Sequence, residues 1–174
     1  MPPWEIHPAL VHFPIAFFLG GVTLDLFAWW MRREGLGRIA TGLLAAGAVM
    51  AVPTALAGLL AFFTVPAHTA AAHNLLFWHL GLEVAAVLLF TAVVIVRWRD
   101  GLALPGAASR GFGLLATAIL IVGSYLGGNL VYHGGAGVDP QILAPEVREG
   151  HHHGEEPASP PGHTHEANEH HHHD

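Results

Sequence analysis

The sequence contains no cysteine, and only 11% of its 174 residues are charged. The absence of cysteine excludes disulfides, thiolate metal sites, iron–sulfur ligation and covalent attachment of c-type haem. Basic residues are too few to form a stripe that displaces counterions from phosphates, so we expect no nucleic-acid partner. Ser109 and Ser124 lack a base and carboxylate arrangement, and no glycine-rich segment has phosphate-loop spacing. These absences favour a carrier or binding protein over a catalyst.

Apolar residues are abundant: 52% of the chain is hydrophobic and the mean hydropathy is +0.46, which is too apolar for a soluble domain. Four apolar stretches each have about 20 or more residues, enough at about 1.5 Å per residue to cross a hydrocarbon core of about 30 Å. They cover roughly residues 8–30, 39–65, 75–96 and 112–132. Because short loops join neighbouring helices as antiparallel pairs, we predict an all-α fold, an up-down-up-down four-helix bundle within residues 1–140, embedded in a lipid bilayer.

Charge is distributed unevenly along the chain. Residues 1–140 contain six acidic residues and six arginines, whereas residues 141–174 contain seven acidic residues, one arginine and nine of the 15 histidines. The six arginines lie between spans one and two or between spans three and four: Arg32, Arg33, Arg38, Arg97, Arg99 and Arg110. Positive residues beside short loops stay in the cytoplasm, so we predict a bacterial inner-membrane protein with both termini in the periplasm.

Several polar residues of the spans lie at matched depths. Counting from the arginine that ends each helix puts three of them about 27 to 30 Å from the cytoplasmic side: His12, His79 and Asn129. The same count puts three more at about 34 to 38 Å, in the outer head-group layer: His7, His73 and His133. Within one helix the two histidines are turned by about 120 to 140°, so only one can face the bundle axis. We expect the deeper one to do so, because lipid offers its ring nitrogens no partner.

Two carboxylates also fall within the spans. Glu83 follows His79 by four residues on the same helix face, about 21 Å from the Arg97 level, where a carboxylate is costly unless it is neutral or paired. It is a candidate functional residue, or else a protonated acid that hydrogen-bonds a neighbouring helix. Asp25 lies about 10 Å from Arg32, so we expect a structural role in which it either snorkels or pairs near the cytoplasmic arginines. The repeated Gly42, Ala46, Gly123 and Gly127 indicate close helix packing.

The histidines have three interpretations, which the residues leave open. In the first, His12 and His79 ligate one b-type haem near the periplasmic side, and electrons pass to or from a quinol or a periplasmic carrier. The polar residues counted with that site are Tyr125, Asn129 and Glu83. In the second, a copper, zinc or nickel ion binds to the histidines of both tiers, namely His7, His12, His73, His79 and His133. In the third, the histidines only cap helices and hydrogen-bond across the bundle.

Two local patterns carry a family resemblance: HPALVHFPIA at residues 7–16 and YLGGNLVYHG at residues 125–134. Together with the four spans, they resemble the bacterial membrane family catalogued as domain of unknown function 2231, over about residues 5–138. The resemblance implies a four-helix membrane bundle and no established activity. Similar domains are sometimes joined to Rieske-type or c-type cytochrome modules, and the bundle looks like b-type cytochromes, which favours redox work by analogy.

The remaining segment, residues 141–174, is acidic, rich in proline and without apolar periodicity, so we predict that it is disordered. Imidazoles clustered beside carboxylates bind zinc, nickel or copper loosely at neutral pH. The histidines expected to do so are His151, His152, His153, His170, His171, His172 and His173.

Overall fold

A computed structural model of the chain describes residues 2–65, 70–101 and 104–137. A short 3-10 helix (Pro3–Glu5) leads into α1 (Ile6–Met31), which is followed by α2 (Glu34–Thr64), α3 (Ala70–Arg99) and α4 (Ala107–Tyr132). Each of the four helices is long and apolar enough to cross a membrane, and the described ranges contain no strand. The predicted all-α, four-helix membrane fold is therefore confirmed. Residues 141–174 lie outside the described residues, so the disorder of this tail stays a prediction.

The first helical hairpin turns within two residues. Arg32 adopts a left-handed conformation with φ of 54°, and its N–H donates to the carbonyls of Ala28 and Trp29 at the end of α1. Arg33 is extended, with φ of −107° and ψ of 101°, and α2 begins at the next residue. A connection this short forces α1 and α2 into antiparallel contact. Two of the arginines that we assign to the cytoplasmic loops therefore form this turn.

The bundle consists of two hairpins, in which α1 packs on α2 and α3 packs on α4, with smaller contacts of α2 with α3 and of α1 with α4. At its centre the Phe18 ring of α1 stacks on the Phe90 ring of α3, with centroids 4.1 Å apart and planes 8° apart. Gly47 of α2 makes room for this pair, because a Cβ there would lie 2.7 Å from Phe18 Cδ1. The stacked rings thus join α1 to α3 across the core.

A buried polar cluster joins three helices near the predicted cytoplasmic end. Arg97 of α3 lies with Nη1 3.2 Å from Asp25 Oδ1 on α1, and both side chains are almost fully buried. Its Nε donates to Thr41 Oγ1 at 2.6 Å and its Nη2 to the Gly37 carbonyl at 2.7 Å, both on α2. Of the two expectations for Asp25, the structure has the pairing with an arginine, and the carboxylate is buried rather than snorkelling. Arg97 itself is an interior residue of the bundle rather than part of an exposed loop.

Candidate functional site

Two histidines from different hairpins face each other at the predicted periplasmic end of the bundle. His7 lies in the first turn of α1 and His79 lies on α3, and both are half-buried. Their ring centroids are 6.4 Å apart, and the ring planes make an angle of 76°. The two imidazoles therefore meet between α1 and α3, two helices that are not consecutive in the chain.

Each imidazole is held by a backbone carbonyl of another helix. His7 Nδ1 lies 3.0 Å from the Thr54 carbonyl oxygen on α2, and His79 Nδ1 lies 2.8 Å from the Gly123 carbonyl oxygen on α4. A carbonyl oxygen can only accept, so Nδ1 of each ring carries the proton and donates it. In the neutral ring, Nε2 then keeps the lone pair. Metal-binding histidines in proteins are oriented in this way, with the second nitrogen donating to a carbonyl or carboxylate.

Two glycines provide the space for these rings. A Cβ on Gly58 of α2 would lie 3.0 Å from His7 Nδ1, and a Cβ on Gly127 of α4 would lie 2.9 Å from His79 Cε1. A larger residue at either position would push the ring away from its carbonyl. The spacing of Gly127 predicts a packing residue, and in the structure it packs against an imidazole.

A carboxylate lies one helical turn beyond His79. Glu83 Oε1 is 4.0 Å from His79 Nδ1, so the predicted common face of these two residues is confirmed. Ser124 Oγ of α4 donates to Glu83 Oε1 at 3.4 Å. A Cβ on Gly123 would lie 2.6 Å from the same oxygen, so this glycine is needed for Glu83 to reach α4. The α3–α4 contact is therefore polar along about one turn.

On α1 the inward-facing histidine is not the one expected. His12 is exposed on the outer surface, whereas His7 points inward and contacts His79. The buried residues of α1 set its orientation, and at 100° per residue His7 falls on the same side as Phe18 and Asp25. The expectation of His12 was wrong because depth alone does not determine helix rotation. On α3 the inward-facing histidine is His79, as expected.

The other predicted site residues are not brought into this group. His73, His133 and Tyr125 are exposed, and Asn129 is half-buried on α4. In residues 2–65, 70–101 and 104–137, no group of three or more histidine, aspartate or glutamate side chains is arranged to hold a metal ion. The five histidines of the predicted ion site are thus not assembled. The tail histidines lie outside the described residues: His151, His152, His153, His170, His171, His172 and His173.

The sequence did not reveal the groups that hold the two rings and Glu83, namely the Thr54 and Gly123 carbonyls, Gly58 and Ser124. The sequence does contain one indication of the contacts that His79 and Glu83 make with α4. Gly123 and Gly127 have the same four-residue spacing as His79 and Glu83. When two adjacent antiparallel helices have small residues and polar residues at the same spacing, the polar side chains of one helix can pack against the small residues of the other.

Comparison with known proteins supports a membrane assignment. A family model described as "Predicted membrane protein (DUF2231)" matches residues 3–140, which covers all four helices. No curated protein matches the chain. No solved structure matches it either.

Proposed function

Because the chain belongs to the DUF2231 family of predicted membrane proteins, its four helices are assigned to a bilayer, and we propose that it holds one b-type haem for electron transfer. His7 and His79 would hold it. The observation that carries this proposal is the pair of facing imidazoles, 6.4 Å apart, each with Nδ1 committed to a helix carbonyl. Bound haem would supply one-electron oxidation and reduction at its iron.

The close approach of the two rings, with centroids 6.4 Å apart, is what makes them candidates to hold one cofactor between α1 and α3. Haem would need only these two side chains from the protein. The described part of the chain offers two facing histidines and no group of three or more potential ligands, which favours haem over a bare ion.

The residues around the pair would set the orientation of the rings. The Thr54 and Gly123 carbonyls fix which nitrogen of each ring keeps the lone pair, and Gly58 and Gly127 fix where each ring lies. Such outer contacts commonly change metal affinity by one to two orders of magnitude, about 10- to 100-fold. The site thus involves residues of all four helices.

The position of the pair suggests where electrons are exchanged. The arginines between α1 and α2 and between α3 and α4 support cytoplasmic loops and periplasmic termini in a bacterial inner membrane. His7 and His79 would then lie on the periplasmic side. All five histidines of the described residues belong to that half of the bundle, so a second haem across the bilayer has no ligands there. The partner that fits is a membrane quinol or a soluble periplasmic carrier.

A copper, zinc or nickel ion is the second candidate, and the observation that favours it is the carboxylate of Glu83, which lies one turn from His79 on the same face of α3. Imidazole and carboxylate together suit these ions. The site would then bind or deliver the ion. A bundle without any cofactor is the third outcome, in which the rings only hydrogen-bond between helices.

Absorption spectra of the full chain in detergent separate these outcomes. We expect a Soret band that shifts on reduction with dithionite and is lost in His7→Ala and in His79→Ala. His12→Ala is the matched control, because this histidine lies on the same helix but is exposed, and it should keep the band. A colourless preparation that retains metal after deletion of residues 141–174 would favour the ion, and a preparation with neither would overturn both proposals.

A further inference from the structure

The outward face of α1 carries an unusual stripe of residues. Six exposed residues form it: Ala9, His12, Ala16, Thr23, Phe27 and Trp30. At 100° per residue they fall within an arc of about 60°. This arc lies opposite the buried side of the helix, which includes Phe18 and Asp25. The stripe therefore points directly away from the core, into the surrounding bilayer.

The outward faces of the neighbouring helices have a different composition. Every exposed residue of α2 between positions 39 and 63 is apolar, with Val49, Val52 and Leu56 among the most exposed. On α3, every exposed residue between positions 77 and 96 is apolar or aromatic. Such faces suit acyl chains. The α1 stripe has a histidine, a threonine and two alanines where α2 has valines and leucines.

The two polar side chains of the stripe have no partner within the described residues. His12 makes no hydrogen bond there, unlike His7 and His79. Five described threonines donate Oγ1–H to the carbonyl four residues before them: Thr41, Thr54, Thr64, Thr91 and Thr117. Thr23 makes no such bond, although it lies nine residues from Arg32, about 14 Å into the bilayer. Lipid offers this hydroxyl no hydrogen bond, so a polar group of another helix at the same depth would stabilise it.

We propose that the stripe is an interface with a second copy of this chain, packed α1 against α1 about a twofold axis along the membrane normal. The same arginines orient both copies in the same way, so the two α1 helices run parallel. A twofold interface then places each residue opposite its own counterpart at equal depth. The second copy therefore presents a polar group at the depth of His12 and another at the depth of Thr23.

The chemistry of the stripe is self-complementary. A neutral imidazole has one N–H donor and one acceptor nitrogen, so His12 can hydrogen-bond to the partner's His12. A hydroxyl also donates and accepts, so Thr23 can bond to the partner's Thr23. Ala9 and Ala16 lie on the same line and permit close approach of the two backbones, as small residues do in membrane helix pairs.

Cross-linking in native membranes tests the interface directly. The chain has no cysteine, so each variant carries a single thiol. Ala16→Cys and Thr23→Cys should give a disulfide-linked dimer on oxidation with iodine. Val49→Cys and Leu56→Cys, which are 69% and 63% exposed on α2, are matched controls and should stay monomeric.

Self-association in detergent gives an independent measurement. Interhelical hydrogen bonds in membrane proteins average about 0.6 kcal/mol, so His12→Ala and Thr23→Ala should each raise the dimer dissociation constant about threefold. Leu56→Ala should leave it unchanged. Equal cross-linking at stripe and control positions would overturn the proposal. So would the absence of a dimer at Ala16→Cys and Thr23→Cys when both thiols react with a lipid-soluble maleimide, since the stripe would then contact lipid. None of these measurements depends on a cofactor.

Discussion

Arg97 and Asp25 form an ion pair inside the bundle, with Nη1 and Oδ1 3.2 Å apart and the two residues only 3% and 4% exposed. Together with the bonds from Arg97 to Thr41 and Gly37, the pair joins α1, α2 and α3. It lies at the opposite end of the bundle from His7 and His79. At the end of the bundle away from the histidine site, a buried ion pair therefore holds three helices together.

Breaking this ion pair should destabilise the protein strongly. Asp25→Ala leaves the Arg97 charge buried without its carboxylate, a change that typically costs about 3–5 kcal/mol. Unfolding in mixed micelles, followed by circular dichroism, measures the loss. Arg99→Ala removes an exposed arginine of the same helix and should change the free energy of unfolding little. Equal losses in the two variants would contradict a stabilising role for the buried pair.

The stacked phenylalanines depend on a glycine of α2. In Gly47→Ala the new Cβ would lie 2.7 Å from Phe18 Cδ1, and such overpacking costs about 1–3 kcal/mol. Gly42→Ala is the matched control on the same helix, because no atom lies within 4 Å of its Cβ position. The same unfolding measurement should show a loss for Gly47→Ala only. A stable Gly47→Ala variant would mean that the Phe18–Phe90 stack can shift at little cost.

Two adjacent glycines of α4, Gly127 and Gly128, allow a test of the histidine site. The Cβ of Gly127→Ala would lie 2.9 Å from His79 Cε1 and should displace the ring from the Gly123 carbonyl. We expect weaker cofactor retention and an altered absorption spectrum. Gly128→Ala has open space around its Cβ and should behave like the unmodified chain. If both variants have the same spectrum, the contact between His79 and Gly127 does not control the site.

The orientation in the membrane can be measured with single thiols. Gly35→Cys lies at the start of α2 beside the arginine turn, and Tyr132→Cys lies at the end of α4, where the tyrosine is 86% exposed. An impermeant maleimide added to intact spheroplasts should label Tyr132→Cys at once and Gly35→Cys only after permeabilisation. The reverse pattern would place the histidine pair on the cytoplasmic side and contradict the orientation inferred from the arginines.

The histidine-rich tail and the histidine pair should be separable. Deletion of residues 141–174 removes nine histidines and should abolish loose binding of nickel or zinc to the intact chain. The bundle keeps His7 and His79, so its absorption spectrum should not change. Metal titration by calorimetry and spectra of the two chains give the comparison. Loss of the spectrum on deletion would show that the tail contributes to the site.

Much of the architecture could be predicted because lipid imposes simple requirements. Four apolar runs of membrane length have one viable form, the helix, and their short connections make neighbours antiparallel. The same counting of residues placed His79 with Glu83 on one face and Asp25 near the arginines, as the structure has them. These inferences use only rise and rotation along a single helix.

Inferences that depend on helix rotation were less successful. Depth pointed to His12, but the side of α1 that packs on its neighbours includes His7, and His12 faces outward. The position of Arg97 at the end of a span predicts a charge beside a loop, yet it is buried against Asp25 and Thr41. Which side of a helix faces inward depends on all of its neighbours at once, and no spacing within one segment contains that information.

The sequence by itself determined that this chain forms four membrane-length helices and that the tail is acidic and rich in histidine. It also determined that the six arginines of residues 1–140 gather at one end of these helices and the histidines at the other. The tertiary structure decided which histidines meet, which carbonyls hold them and which face of α1 is left without a partner. The reason is physical: length and hydrophobicity are sums over local residues, whereas the rotation of a helix is set by the packing of several helices together.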